Sequence, residues 1–140
     1  MDKPLALIVE DEKDISVIFA KALHAAGFET EIIHSGDVAI TWLASNTPDV
    51  VVLDLHMPRV AGTDVLQHIR AEPRLANVNV IIATAYPHMA ESLHDAADWI
   101  FFKPVSFSQL RDLASRFSPE TPSDGAKSQA AEQPRKMRKE

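Results

Sequence analysis

The feature that most constrains this chain is an alternation repeated along its length: a short apolar run of strand size, then a stretch with helical spacing. The runs are Leu5–Val9, Glu29–Ile33, Val50–Leu53, Val80–Ala83 and Trp99–Phe102. Most are continuous rather than alternating in polarity, the pattern of strands covered on both faces. Between the first two, Ile15, Ile18, Phe19, Ala22 and Leu23 follow i, i+3, i+4, i+7, i+8 spacing, and Gly27 sits where such a helix should stop. Ser35 is placed to cap a second helix carrying Val38, Ala39, Trp42 and Leu43, with Trp42 read as core. Val65, Leu66 and Ile69 mark a third helix, and Pro87–His94 a short, weak fourth. Ser106 and Gln109 spell a capping box ahead of Leu110, Leu113, Ala114 and Phe117.

Strands that alternate with helices imply a parallel sheet, because parallel neighbours need long crossovers, and those helices cover both faces. Right-handed crossovers leave few topologies. The expected one is a flavodoxin-like (βα)5 three-layer sandwich, with five parallel strands in the order 2-1-3-4-5. The domain is read as residues 1–117. From Ser118 the composition turns to Pro, Ser, Gln and charge with no apolar period. Such a stretch cannot bury enough surface to offset its ordering entropy, so 118–140 is expected to be a disordered polar tail. The basic cluster Pro134–Lys139 within it is read as solvated. No internal repeat is visible.

Composition narrows the function. A net charge of −6 argues against a DNA-binding role, which favours a basic patch. The absence of cysteine excludes disulfides and thiolate metal sites. No apolar run approaches the roughly 20 residues that span a bilayer, and the N-terminus lacks the basic start of a signal peptide. The expectation is a cytoplasmic protein without membrane contact. The six histidines show no metal-ligand spacing, and apart from His56 they are read as surface residues.

The stretch "VVVLDLHMP", residues 50–58, sets the functional question. A carboxylate, Asp54, closes a run of buried-type residues, and an unpaired buried carboxylate is costly. The first strand closes in acid as well, with Glu10, Asp11 and Glu12. In the 2-1-3-4-5 order, strands 1 and 3 are neighbours at the switch point, where ligands bind at the carboxyl ends. The acids therefore share a crevice, and a divalent cation would relieve their repulsion. Oxygen-only ligands suit Mg²⁺. Strand 4 ends in Thr84, a hydroxyl able to donate to an anion, and strand 5 ends in Lys103, a point charge suited to a phosphoryl oxygen. These are the parts of a phosphoryl-transfer site, in which an aspartate can itself accept the group as an acyl phosphate.

"LIVEDE", "VVLDLHMPRVAG", "VIIATA" and "FFKPV", in this order, resemble the receiver domain of two-component response regulators over about residues 4–117. The resemblance implies that Asp54 is the phosphoacceptor, charged by a histidine kinase or a histidine phosphotransfer protein. It implies Mg²⁺ held by Asp11 and Asp54, by Glu10 through water, and by the backbone carbonyl of His56. It gives Thr84, the backbone N–H of Ala85 and Lys103 to the phosphoryl oxygens, and a cis bond before Pro104. It makes Gly62 a site of positive φ or close approach, and His56 and Tyr86 positions that tune the lifetime of the phosphoryl group. Ile100 stands where the family carries its switch aromatic, and the segment from Thr84 to Lys103 is shorter than usual. The implied protein is no enzyme: a stand-alone switch, monomeric or weakly dimeric, that signals through a surface for an unknown output protein. Two other readings share some of these features. One is a receiver-fold binding module that works without phosphorylation. The other is a small aspartyl-phosphate phosphatase, which would need its nucleophile on strand 1 and a second aspartate two residues further on.

Overall fold

The computed structural model describes residues 3–118. Five parallel strands, β1 (Leu5–Val9), β2 (Glu29–Ile33), β3 (Val50–Asp54), β4 (Asn79–Thr84) and β5 (Trp99–Phe102), lie in the order β2-β1-β3-β4-β5. Five helices join or follow them: α1 (Lys13–Ala25), α2 (Gly36–Leu43), α3 (Gly62–Ala71), α4 (Pro87–Ala90) and α5 (Phe107–Ala114). This is the expected topology. The tail reading falls outside the described residues from position 119 on. Ser118, read as the first tail residue, is buried at the end of the fold.

The pleat divides the strands between two cores, since successive side chains point to opposite faces. Leu7, Val9, Val51, Leu53, Val80, Ile82 and Ile100 face one side with Leu43, Val65, Leu66 and Ile69 from α2 and α3. Ala6, Ile8, Val50, Val52, Ile81 and Ala83 face the other with Phe19 and Leu23 from α1 and Leu110 and Leu113 from α5. The continuous apolar runs thus reflect helices on both faces. β2 is the exception, an edge strand with Glu29 and Glu31 exposed, as suits a strand with one unpaired side.

Two helices turn differently from their apolar spacing. Ile18 is 45% exposed and Val38 is 52% exposed. α1 buries Ser16, Phe19, Ala22 and Leu23, an arc centred between the sheet and α5, which leaves Ile18 on the flank. α2 has only eight residues and buries Ala39 and Leu43, with Trp42 partly buried against the same core. Ser35 does occupy the N-cap of α2, but its side chain makes no capping bond. It serves instead the carboxylate of Asp37, whose pKa is lowered chiefly by that hydrogen bond. The other signals hold. Gly27 ends α1 at φ +102°, a left-handed conformation that costs glycine little. Ser106 and Gln109 form the complete capping box. α4 is a single turn followed by a 3₁₀ turn over Glu91–Leu93. Among the described residues no helix is long and apolar enough to cross a membrane.

A charged strut closes the end of the sheet opposite the crevice. Arg70 of α3 donates to the carbonyls of Ala96 (2.7 Å) and Val78 (3.0 Å) and to Asp98 Oδ2 (3.1 Å). Asp98 Oδ2 also accepts the N–H of Val80 at 2.7 Å. Asp98→Ala strands that N–H inside the protein and removes one partner of Arg70. The expected cost is about 2–3 kcal/mol, a fall of roughly 10 °C in Tm with the crevice unaffected. Thermal unfolding of the two proteins checks it, and an unchanged midpoint would show the strut to be ornamental.

Candidate phosphoacceptor site

The crevice is built from strand ends. Parallel strands all point their carboxyl ends the same way, so the residues that close β1, β3, β4 and β5 meet on one rim. Carboxylate oxygens of Glu10, Asp11 and Asp54 lie within 4.8 Å of one another. Glu10 is 1% and Asp54 5% exposed. Lys103, just past β5, reaches in from the far side. Its Nζ stands 2.9 Å from Glu10 Oε1 and 3.7 Å from Asp54 Oδ1. The loop backbones add donors: His56 N–H to Asp54 Oδ1 at 3.2 Å, and Glu12 N–H to Glu10 Oε2 at 3.3 Å.

Thr84, fully buried, ends β4 one ladder step beyond Ala83, the partner of Asp54 in the β3–β4 register. Its hydroxyl oxygen accepts the N–H of Tyr86 at 3.0 Å, leaving its proton available to donate. Ala85 follows it directly and is exposed. The rings of His56 and Tyr86 approach to 4.8 Å between centroids, bridging the loops after β3 and β4. The Lys103–Pro104 bond is cis. Ile100 is an aliphatic side chain fully buried in the core that α3 and α4 share. Glu12 serves as the N-cap residue of α1 and contributes its N–H, while its side chain is exposed.

Gly62 shows why α3 can start where it does. A Cβ there would lie 2.0 Å from the carbonyl oxygen of Asp54 and 2.6 Å from Leu55 Cα. Of the two roles expected for this glycine, the structure selects close approach: among the described glycines only Gly27 has positive φ. The N–H of Gly62 donates to the Leu55 carbonyl at 2.9 Å, clamping the helix start to the strand that carries Asp54.

A family model for the response regulator receiver domain matches residues 6–115. The chain belongs to that family. It is 34% identical over 110 residues to the phosphate regulon transcriptional regulatory protein PhoB of Rhizobium meliloti, a match covering 76% of this chain and 48% of PhoB. It is 30% identical over 131 residues to the response regulator MprA of Mycobacterium tuberculosis, covering 89% of this chain and 55% of MprA. The chain therefore spans about half the length of these relatives. Among solved structures, the response regulator TrrA of Thermotoga maritima, in complex with Mg²⁺ and BeF, superposes with a TM-score of 0.72 at 28% identity, covering 84% of this chain and 99% of TrrA.

Three acids in one crevice of the receiver, with one lysine, leave an excess of negative charge. Burial pushes the pKa of Asp54 up from 3.8 to about 7, with the neighbouring Glu10 charge adding to the rise and Lys103 opposing it. Burial likewise raises Glu10, opposed first by its hydrogen bond from Lys103. The donor set fits a hard divalent cation: hard carboxylate oxygens, closely spaced, with more negative charge than Lys103 can balance. A carboxyl group with a raised native pKa keeps its proton where the unfolded chain has lost it. Stability therefore falls as pH rises from about 4 to about 7. Asp54→Asn should flatten that slope and, without metal, raise stability at pH 8 by about 1–3 kcal/mol. Urea titrations at pH 5 and pH 8 check it. A variant that loses stability as steeply as the wild type would contradict the buried-charge account.

Sequence reasoning missed two contributors to this end of the molecule. His34, read as a surface residue, is exposed, yet its Nδ1 lies 2.9 Å from the Glu10 carbonyl. Arg59, in the loop between β3 and α3, takes φ +65°. Neither has a spacing signal: His34 is defined by a partner on another segment and Arg59 by its own backbone conformation.

Proposed function

We propose that this receiver accepts a phosphoryl group on Asp54 from the phosphohistidine of a histidine kinase or histidine phosphotransfer protein, with Mg²⁺ as cofactor. The observation that carries the reading is the Asp54 carboxylate held beside Glu10, Asp11 and the Lys103 ammonium in one crevice. In the transfer, an Asp54 oxygen attacks phosphorus as the P–N bond breaks, and the imidazole nitrogen leaves with the bonding pair. Glu10, Asp11, Asp54 and the carbonyl of His56 are the groups that would hold the metal. When bound, Mg²⁺ supplies neutralisation of the phosphoryl oxygens. Lys103 draws a further oxygen by point charge, and the Thr84 hydroxyl and the Ala85 N–H donate to the others. His56 and Tyr86, in ring contact between the two loops, flank the place where the product would form. TrrA, the relative solved with Mg²⁺ and BeF, supports the choice of metal.

In this reading the chain is a stoichiometric switch rather than a turnover catalyst. The new group adds about two negative charges at the crevice and biases the loops after β3 and β4 between two arrangements. A partner protein or an attached output module reads that bias from the receiver surface. Intracellular kinases as donors imply a cytoplasmic location. A phosphorylation-independent binding role is the second reading. It is favoured by the one-turn α4 and by the buried, aliphatic Ile100 where the family carries its switch aromatic.

One experiment separates them. The protein is incubated with acetyl phosphate and Mg²⁺, then analysed by intact mass and by mapping of the modified peptide. The proposal expects one phosphoryl group per chain at Asp54, lost when EDTA replaces the metal. An unmodified mass under conditions that label another receiver would leave the second reading standing.

A further inference from the structure

We propose that His34 is a positioning residue for the metal-binding acids: its ring N–H fixes the peptide unit that joins Glu10 to Asp11. The inference rests on the reading of Glu10 and Asp11 as metal ligands and names a residue that this reading does not contain.

The main-chain ladder between β1 and β2 ends at Glu10. β1 and β2 pair in register from Leu5↔Glu29 to Val9↔Ile33. One more main-chain bond follows, Glu10 N–H to the Ile33 carbonyl at 3.1 Å. In a parallel ladder the Glu10 carbonyl would next take the N–H of the residue after His34. That residue, Ser35, is the N-cap of α2, where the chain leaves the sheet. The imidazole of His34 stands in for the ladder, with Nδ1 at 2.9 Å from the Glu10 carbonyl oxygen. A carbonyl can only accept, so Nδ1 carries the proton and donates.

The Glu10 carbonyl belongs to the same planar unit as the Asp11 N–H. Holding that oxygen therefore fixes the plane from which Asp11 departs. It complements the bonds that hold the Glu10 carboxylate, from Lys103 at 2.9 Å and from Glu12 N–H at 3.3 Å. With these restraints, two adjacent acids present their oxygens to one point with little ordering left to do at the moment of binding. Partners that orient metal ligands typically change affinity by about 10–100-fold when removed. His34 acts through the backbone rather than on a ligand atom, so the lower end of that range applies. Its side chain is exposed, so its loss leaves both cores intact.

The test is isothermal titration of the full chain with MgCl₂, alongside thermal unfolding without metal. His34→Ala is expected to weaken Mg²⁺ binding by roughly 10-fold while the metal-free Tm moves by only about 1–3 °C. His34→Phe keeps ring volume without the donor and should match the alanine variant. His34→Asn offers an amide N–H near the place of Nδ1 and should restore affinity to within about twofold. Wild-type affinity in both His34→Ala and His34→Phe would overturn the inference while leaving the metal reading intact. If the wild-type protein itself takes up no Mg²⁺, the metal reading falls and this inference falls with it.

Discussion

Asp54→Asn is expected to abolish phosphoryl uptake while leaving a folded, more stable protein. The amide oxygen still accepts the His56 N–H, which lies 3.2 Å from Asp54 Oδ1, so the loop after β3 keeps its anchor. What disappears is the nucleophile. An amide delocalises its lone pairs into the carbonyl and forms no acyl phosphate, so labelling by acetyl phosphate should drop by roughly 10³-fold or more. The variant also removes one of three crowded acids, so the two effects have opposite signs on the same substitution: activity lost, stability above neutral pH gained. Intact-mass measurement reads the first and urea titration the second. Undiminished labelling of the variant would move the phosphoacceptor elsewhere, and a variant that fails to fold would refute the claim that the Asp54 charge is a net burden without metal.

Gly62→Ala is the second large effect. The added methyl carbon would sit 2.0 Å from the Asp54 carbonyl oxygen and 2.8 Å from its carbonyl carbon. These are backbone atoms of a central strand, which cannot swing aside as a flexible side chain would. Either α3 lifts from β3 or the end of β3 bends, and in both cases the core beneath Val65, Leu66 and Ile69 loosens. The expected destabilisation is about 3 kcal/mol or more, seen as a Tm at least roughly 10 °C lower. Because the clash falls on the residue that carries the nucleophile, the surviving folded fraction should also label about 10–100-fold more slowly. Gly27→Ala is the contrast. A methyl added there would meet no atom within 4 Å, but φ is +102°, so about 1–2 kcal/mol of backbone strain is expected with labelling unchanged. Equal labelling and stability in Gly62→Ala would mean that the helix start is not packed against the strand as described.

The strands are legible in the sequence because burial on both faces writes itself as consecutive apolar residues. Their bounds agree within a residue or two, with β3 and β4 running on through Asp54 and Thr84. Helical faces are less legible. Ile18 and Val38 fit the spacing yet face outward, since spacing selects an arc and the neighbouring elements choose which part of it is covered. Ser35 takes the expected place without making the expected bond, because the Asp37 carboxylate takes the N–H of Val38 that a capping side chain would accept. Gly62 carries two admissible meanings until the strand next to it is in view.

The sequence alone determined the alternation of strands with helices, hence a parallel sheet, and the residues that close each strand, since periodicity is a local property that survives without knowledge of contacts. Glu10, Asp11, Asp54, Thr84 and Lys103 could therefore be placed on one rim before any distance was known. Only the tertiary structure decided how these groups meet. Lys103 bonds Glu10 across 93 positions of chain, His34 bonds it across 24, and Arg70 ties α3 to the segment before β5 across 26 and 28. Such pairings depend on how far each crossover lets one strand end advance past the next, a quantity set by packing over the whole sheet and carried by no single stretch of residues.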